Sequence, residues 1–477
     1  MRKYLGLVLA GAMVAFGAGC GDSDDGNGGS GGSGGSGGGT GGTAGDGGNG
    51  GNGGMQANPC QDAGGSGTVE LEGVEVDGVL EIQEDTILEA GCTFILTRET
   101  YVTNGAELEI EPGTEIQGDP QSALIVTTEG TINAVGTESS PILFTSSALE
   151  TEREPGQWGG VVLLGTARLS WGDTDCDGEA GECVGSIEGI SPDNPRGQFG
   201  GDDDSHDCGT LNYVLIQYAG SVFGDDNELN GLTVGGCGDQ TELSYVQVHR
   251  GLDDGIEFFG GTAPLDHAVI TVPGDDGLDW DQGWRGVAEF VIVHHANSTS
   301  SSPNGIEADN YGDGDNNVEP RSAPTVTNAT IIGDGRAEGS GVVQRVGTWG
   351  VLDNFVVVGF GGAGYDVRNG AWAADGGWPT GLVITNSCFD DNGENWPDDT
   401  NDPSDDDPMS FFDEPTELAD GLGNLEVDPE LGDVSGAATG GTPDYTVSNG
   451  DCVGALGPDQ EDWTAGWTAY PVGAAGP

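Results

Sequence analysis

The amino-acid sequence predicts an all-β solenoid of the parallel β-helix kind, and three observations carry that reading. Leu243-Ser-Tyr-Val246-Gln-Val248, Leu265-Asp-His-Ala268-Val-Ile270 and Val287-Ala-Glu-Phe290-Val-Ile292 begin 22 residues apart. The first two are followed at equal offset by Asp253-Asp254-Gly255-Ile256-Glu257 and Asp275-Asp276-Gly277-Leu278-Asp279, so short strands and Gly/Asp turns recur in phase, as in a coil stacked on itself. Beyond Gln56, about 420 residues carry short β-rich runs and no helical periodicity, which excludes a helical bundle and implies one elongated domain.

Arg2-Lys3 precede an apolar run from Leu5 to Phe16 that ends in Gly17-Ala18-Gly19-Cys20. The run is too short to span a membrane, and its ending looks like a bacterial lipoprotein signal (residues 1–20), cleaved before a Cys20 that is then acylated. From Gly21 to Gly54 the chain holds 20 Gly in 34 residues. Such a segment cannot bury apolar surface, so residues 21–55 are expected to form a flexible tether of roughly 30 Å root-mean-square span. Residues 56–477 are expected to form the β-helix with capping segments at both ends. The implied address is the outer membrane, lipid-anchored and facing either the surface or the periplasm.

Earlier coils show as Tyr101-Val102, Leu108 to Thr114, Ala123 to Val126, Ile142 to Thr145 and Val161 to Leu164, and Leu211 to Ile216 repeats the later pattern. Val326-Thr-Asn-Ala329, Leu352-Asp-Asn-Phe355 and Ile384-Thr-Asn-Ser387 continue it across longer gaps, which read as loop insertions. Strand parity places Val246 and Val248, Ala268 and Ile270, and Phe290 and Ile292 inward. Asn328, Asn354 and Asn386 are expected to form a structural ladder at a turn.

Of nine Cys, eight remain beyond Cys20, an even number suited to an exported chain. Pairing of sequence neighbours is expected in a solenoid: Cys60 with Cys92, Cys176 with Cys183, Cys208 with Cys237 and Cys388 with Cys452. None has zinc-finger spacing. The charge is extreme, at 81 acidic against 12 basic residues, and the exported part holds ten Arg and no Lys. That surface repels nucleic acid and anionic lipid, and the missing Lys removes Schiff-base chemistry and Lys-dependent phosphate loops.

Several longer motifs carry a family likeness: Tyr101 to Thr114, Trp158 to Gly165, Glu228 to Gly235, Asp253 to Gly260 and Trp463 to Thr468. Together they resemble exported, right-handed parallel β-helix lipoproteins of Gram-negative bacteria. The resemblance implies a single-stranded right-handed coil and a surface location. It implies no reaction and no catalytic residues.

Candidate chemistry lies in Gly255-Ile-Glu257, Gly277-Leu-Asp279 and Gly305-Ile-Glu307. With Ile256, Leu278 and Ile306 inward, Glu257, Asp279 and Glu307 face outward in a ladder, joined two residues on by Asp281 and Asp309. Carboxylates about 4.8 Å apart repel by roughly 3–4 kcal/mol at an effective dielectric of 20, so a bound Ca²⁺, a raised pKa or an arginine such as Arg250 or Arg285 must relieve them. Gly255, Gly277 and Gly305 are expected to leave a bare floor beside the acids, near Trp280, Trp284 and Tyr311. That would resemble the cleft of β-helix polysaccharide lyases and pectin hydrolases, but His294-His295 lacks flanking glycines and the Lys of the latter is missing. These histidines are expected to be one core-edge and one exposed residue. Asp173, Asp175 and Asp177 followed by Gly178 match the first half of a Ca²⁺ loop, with Val184 where the closing Glu belongs. Asp202 to Asp204 and Asp405 to Asp407 read as solvated charge. The functional expectation is a non-catalytic surface module that binds Ca²⁺ and contacts polysaccharide or a surface protein. The alternatives are a lyase or hydrolase using Glu257, Asp279 and Glu307, and a purely structural coat.

Overall fold

A computed structural model describes residues 67–170, 183–222, 229–296, 303–311, 318–336, 339–368, 380–397 and 422–474. Contacts divide the chain into units 1–53 and 54–477, and every described residue belongs to the second. Cys20, Cys60, the loop of Asp173, Asp175, Cys176 and Asp177, and Asp405 to Asp407 lie outside the described residues.

The fold is a right-handed parallel β-helix. Among the described residues, strands join into a 16-stranded sheet, an 11-stranded sheet and a small antiparallel pair, Gly185–Ser186 with Gln198–Phe199. In the central coils the larger sheet holds Gly209–Gln217, Glu242–His249, Leu265–Thr271, Val287–His294, Thr325–Ile332 and Gly350–Val358. The smaller holds Leu232–Gly235, Ile256–Phe259, Leu278–Asp281, Ile306–Ala308, Val342–Gln344 and Tyr365–Val367. Alternation seats Ile256, Phe258, Leu278, Trp280 and Ile306 in the core with Val246, Val248, Ala268 and Ile270. Each large aliphatic side chain so buried contributes about 1.5–3 kcal/mol.

Each long strand bends once, at a left-handed residue. Tyr213, Tyr245, His267, Phe290, Asn328, Asn354 and Asn386 all have φ between 49° and 61°. Aromatic rings stack over the first four, with centroids 4.4 Å apart for Tyr213 and Tyr245 and 4.6 Å for each of the next two pairs. Asn354 then donates to Asn328 at 2.7 Å, and Asn386 to Asp353 at 2.6 Å. The Asn ladder is therefore a corner of the coil.

This geometry corrects the 22-residue phase. Leu265 pairs with Ala288, Ala268 with Val291 and Ile270 with Val293, a step of 23 residues. The extra residue falls in the turn between Asp281 and Val287, where Trp284 enters the core and stacks on Phe258 at 4.2 Å. Phe290 consequently sits on the corner and not inward, Ile292 faces away from the coil core, and Val287 is 46% exposed.

Two outer faces are covered. Leu215, Val269, Ile292 and Ile332 pack under Tyr445, Leu456, Trp467 and Tyr470 of the C-terminal segment. Ile125, Val162 and Leu164 of the smaller sheet pack under Ile187, Ile190 and Phe199. Cys208 is bonded to Cys237 and Cys388 to Cys452. Cys92 and Cys183 are also disulfide-bonded, and their expected partners lie outside the described residues.

Candidate functional site

Register places two columns of polar residues side by side on the smaller sheet. One runs Thr233, Glu257, Asp279 and Glu307 on successive rungs, with Val343 next. Their side chains leave the sheet on the face opposite Leu232, Ile256, Leu278 and Ile306. The other stands at the preceding turn, as Asn230, Asp254, Asp276, Asn304 and Ser340, each followed by Gly. Gly231, Gly255, Gly277 and Gly305 donate their N–H to the carbonyls of Asp254, Asp276, Asn304 and Ser340 respectively.

The glycines do not form the expected floor. A Cβ on Gly255, Gly277 or Gly305 would come within 2.1–2.3 Å of Ile270, Val293 or Ile331, all core residues. These positions are bare because the core presses against them, not to admit a ligand. Trp280 and Trp284 are likewise fully buried, and their indole N–H groups donate to Thr348 and to the Ala263 carbonyl.

The carboxylates face outward from the core; Asp254, Glu257 and Asp276 are closed from solvent, and Asp279, Asp281 and Glu307 are half-buried. Glu257 is 7%, Asp254 8% and Asp276 5% exposed. Asp254, Glu257 and Asp279 bring oxygens within 4.8 Å of one another, and so do Asp276, Asp279 and Glu307. Burial, then mutual repulsion, holds Asp254, Glu257, Asp276 and Asp279 well above the usual carboxylate range. Burial also pushes Asp281 up to about 7. At the C-terminal end Arg345 pairs with Glu307 and with Asp309 at 2.8 Å. It moderates both groups, although burial still leaves them raised.

Residues 80–468 match the family of pectate-lyase-like β-helix domains. The chain belongs to that family. No curated protein matches it. Among solved structures it is similar to the periplasmic alginate epimerase AlgG, at 11% identity over 68% of this chain and 76% of that one, with a TM-score of 0.25.

Within this pectate-lyase-like β-helix the structure brings Glu257, Asp279, Asp281, Glu307 and Asp309 together. The expected arginines are elsewhere. Arg250 donates to the carbonyls of Pro471 and Ala438, and Arg285 pairs with Asp204 at 3.0 Å. Asp204 also takes Arg168, so it is an ion-pair centre and not solvated charge. His294 and His295 are both buried, at 5% and 0% exposure: His294 lies against Tyr445 of the C-terminal segment, and His295 bonds the Asn304 carbonyl and meets the edge of Phe360. Sequence reasoning missed Asn230, Asp254, Asp276, Asn304 and Arg345 as site residues. The first four carried a readable signal, a polar residue before each in-phase Gly. Arg345 carried none, since it lies far along the chain from its partners.

Proposed function

We propose that this pectate-lyase-like β-helix protein is a non-catalytic, calcium-binding module of the bacterial outer membrane, tethered through an acylated Cys20, that contacts polysaccharide or a surface partner. The carrying observation is the close stack of Asp254, Glu257, Asp276, Asp279 and Glu307, buried or half-buried, with Arg345 at one end. Five carboxylates in that space, only one of them paired with Arg345, offer the flexible oxygen coordination that suits Ca²⁺. Glu257 is buried and one oxygen of Asp279 is inaccessible, while Asp279 and Glu307 as whole residues are half-buried; the closed position of Glu257 supports binding over catalysis.

The leg of the larger sheet that precedes the corner supports the contact role. Ser244 pairs with Asp266, Asp266 with Glu289, Glu289 with Thr327, Thr327 with Asp353 and Asp353 with Thr385. These side chains leave the coil at rung spacing, half-buried or exposed. A flat row of hydroxyls and acids suits sugar hydroxyls at rung intervals.

The test is a thermal melt of the purified protein after chelation, with Ca²⁺ or Mg²⁺ restored, beside an assay for sugars released from acidic polysaccharide. Ca²⁺ is expected to raise the melting temperature well beyond Mg²⁺, with no sugar released. An unchanged melt with Ca²⁺ overturns the calcium reading. Sugar release that Asp279→Asn abolishes replaces it with a polysaccharide lyase or hydrolase. Mass spectrometry of the mature N-terminus tests the anchor, and an unmodified terminus other than Cys20 removes it.

A further inference from the structure

Among the described residues three oxygen clusters lie along these turns and strands, and that of Asp253, Asp254 and Asp275 is the most exposed; the other two differ in what already satisfies them, and the inference drawn from that difference rests on the calcium reading above. In the cluster of Asp276, Asp279 and Glu307, donors are in place. Asn304 gives its backbone N–H to Asp276 and its amide to Glu307 at 3.2 Å, and Arg345 takes the other oxygen of Glu307. In the cluster of Asp254, Glu257 and Asp279, no cationic side chain among the described residues forms an ion pair with any of the three, although Asp279 is shared with the cluster of Asp276 and Glu307 and feels the Arg345 charge. Asp254 accepts the Asp276 N–H at 2.8 Å, Glu257 accepts from the Asn230 amide, and the Asp279 Oδ1 is buried without a hydrogen bond.

A second observation points the same way. Two neutral oxygens occupy the rung immediately before this cluster, one in each column. Thr233 is 0% exposed and pairs in register with Glu257, and its Oγ1 has no hydrogen-bond partner. Asn230 is 1% exposed, precedes Asp254 in the turn column, and its Oδ1 has none either. Buried oxygens left without partners are destabilising, and a cation would satisfy both together with the three carboxylates.

The same place is where a separate segment meets the coil. The Asn230 amide also donates to Glu188 at 3.2 Å. Glu188 lies between Gly185–Ser186 and Gln198–Phe199, in the segment whose Ile187, Ile190 and Phe199 cover the smaller sheet. Arg196 of that segment pairs with Glu81, and Asn194 donates to the Tyr101 hydroxyl at 3.1 Å. The charge of Glu188 also bears on Glu257.

We propose that one Ca²⁺ seats among Asp254, Glu257, Asp279 and the oxygens of Thr233 and Asn230, and that it staples the segment of residues 185–199 onto the coil through Glu188. The ion is then structural, closed in, and not offered to a substrate.

The experiment uses the full mature protein, stripped with chelator and titrated with CaCl₂ by calorimetry, with hydrogen exchange followed along the chain. The expected results are about one Ca²⁺ per chain, at least roughly tenfold weaker binding in Glu257→Gln, and a loss within about threefold in Glu307→Gln. Amides of residues 185–199 should exchange more slowly with Ca²⁺, while those of Thr325–Ile332 stay unchanged. Thr233→Val serves as the second probe where Glu257→Gln fails to fold in chelator, and it should also weaken binding. Equal losses in Glu257→Gln and Glu307→Gln, or protection absent from 185–199, overturn the placement while leaving calcium binding intact. No binding by the parent protein instead removes the calcium reading itself.

Discussion

Glu257 and Asp279 hold paired positions on adjacent rungs, and the same pairing seats Ile256 on Leu278 and Phe258 on Trp280. The acids are therefore stacked by the core. A one-residue slip would relieve their repulsion only by turning Ile256 and Phe258 outward, at roughly 1.5–3 kcal/mol for each side chain. Apolar burial wins, and the carboxylates are held close against their own repulsion.

The first prediction concerns Asp279→Asn in chelator. Burial and the neighbouring charges raise the Asp279 pKa from 3.8. A raised acid favours folding fully below its unfolded value, and that contribution is lost as pH rises through the folded value. At neutral pH the amide should thus melt higher than the parent by about 2 °C or more, and the difference should vanish near pH 4. Added Ca²⁺ should reverse the order, because the variant gives up a ligand. A variant that melts lower than the parent in chelator at neutral pH would contradict the repulsion argument.

A second prediction concerns Gly277→Ala. The added Cβ would lie 2.3 Å from Val293 Cγ1 and 2.6 Å from the Gly305 carbonyl. Neither neighbour is free to move, since Val293 is fully buried and the carbonyl belongs to the next rung. Overpacking of this kind costs about 1–3 kcal/mol. Denaturant unfolding should show that loss with or without Ca²⁺. An effect confined to the calcium-loaded protein would restore the glycine to the binding site.

Much of this architecture was legible because a solenoid repeats its local physics. Ile256, Leu278 and Ile306 announce an inward column, and parity then fixes Glu257, Asp279 and Glu307 on the other face. What covers that face was not legible. Glu188 reaches the stack from a segment with no repeat phase, and Tyr445 and Tyr470 return from the end of the chain to cover His294 and His249. The third repeat misled for a related reason: Trp284 entering the core adds one residue to a turn, and a fixed period cannot register that.

The third prediction follows from those histidines. Burial lowers His249 to about 3 and His294 and His295 to about 4. A depressed histidine supports the fold above its unfolded value of 6.5, and that support is lost as pH falls through the folded value. His249 bonds the Pro471 carbonyl at 3.0 Å and the edge of His294 meets Tyr445, so the C-terminal segment should loosen in acid. His294→Phe should be slightly less stable than the parent at pH 8, yet more stable at pH 4.5, with a crossing between. Parallel pH curves for the two proteins would show that His294 does not govern the acid response.

The last prediction tests the corner. Asn354 holds φ at 61°, donates to Asn328, and accepts the Gly454 N–H at 3.2 Å. Asn354→Ala removes these hydrogen bonds, and a third from the Asn354 amide to the Gly454 carbonyl at 3.4 Å, and places a side chain that disfavours the left-handed region at a cost of about 1–2 kcal/mol. Asn354→Gly removes the same bonds but accepts the backbone freely. The alanine variant should therefore be less stable than the glycine variant by about 1 kcal/mol, despite the greater unfolded-state entropy of glycine, and both should fall below the parent. Chemical denaturation with equal slopes for all three measures this directly. If alanine and glycine are equally destabilising, the hydrogen bonds alone hold the corner and the left-handed backbone contributes nothing to the choice of Asn.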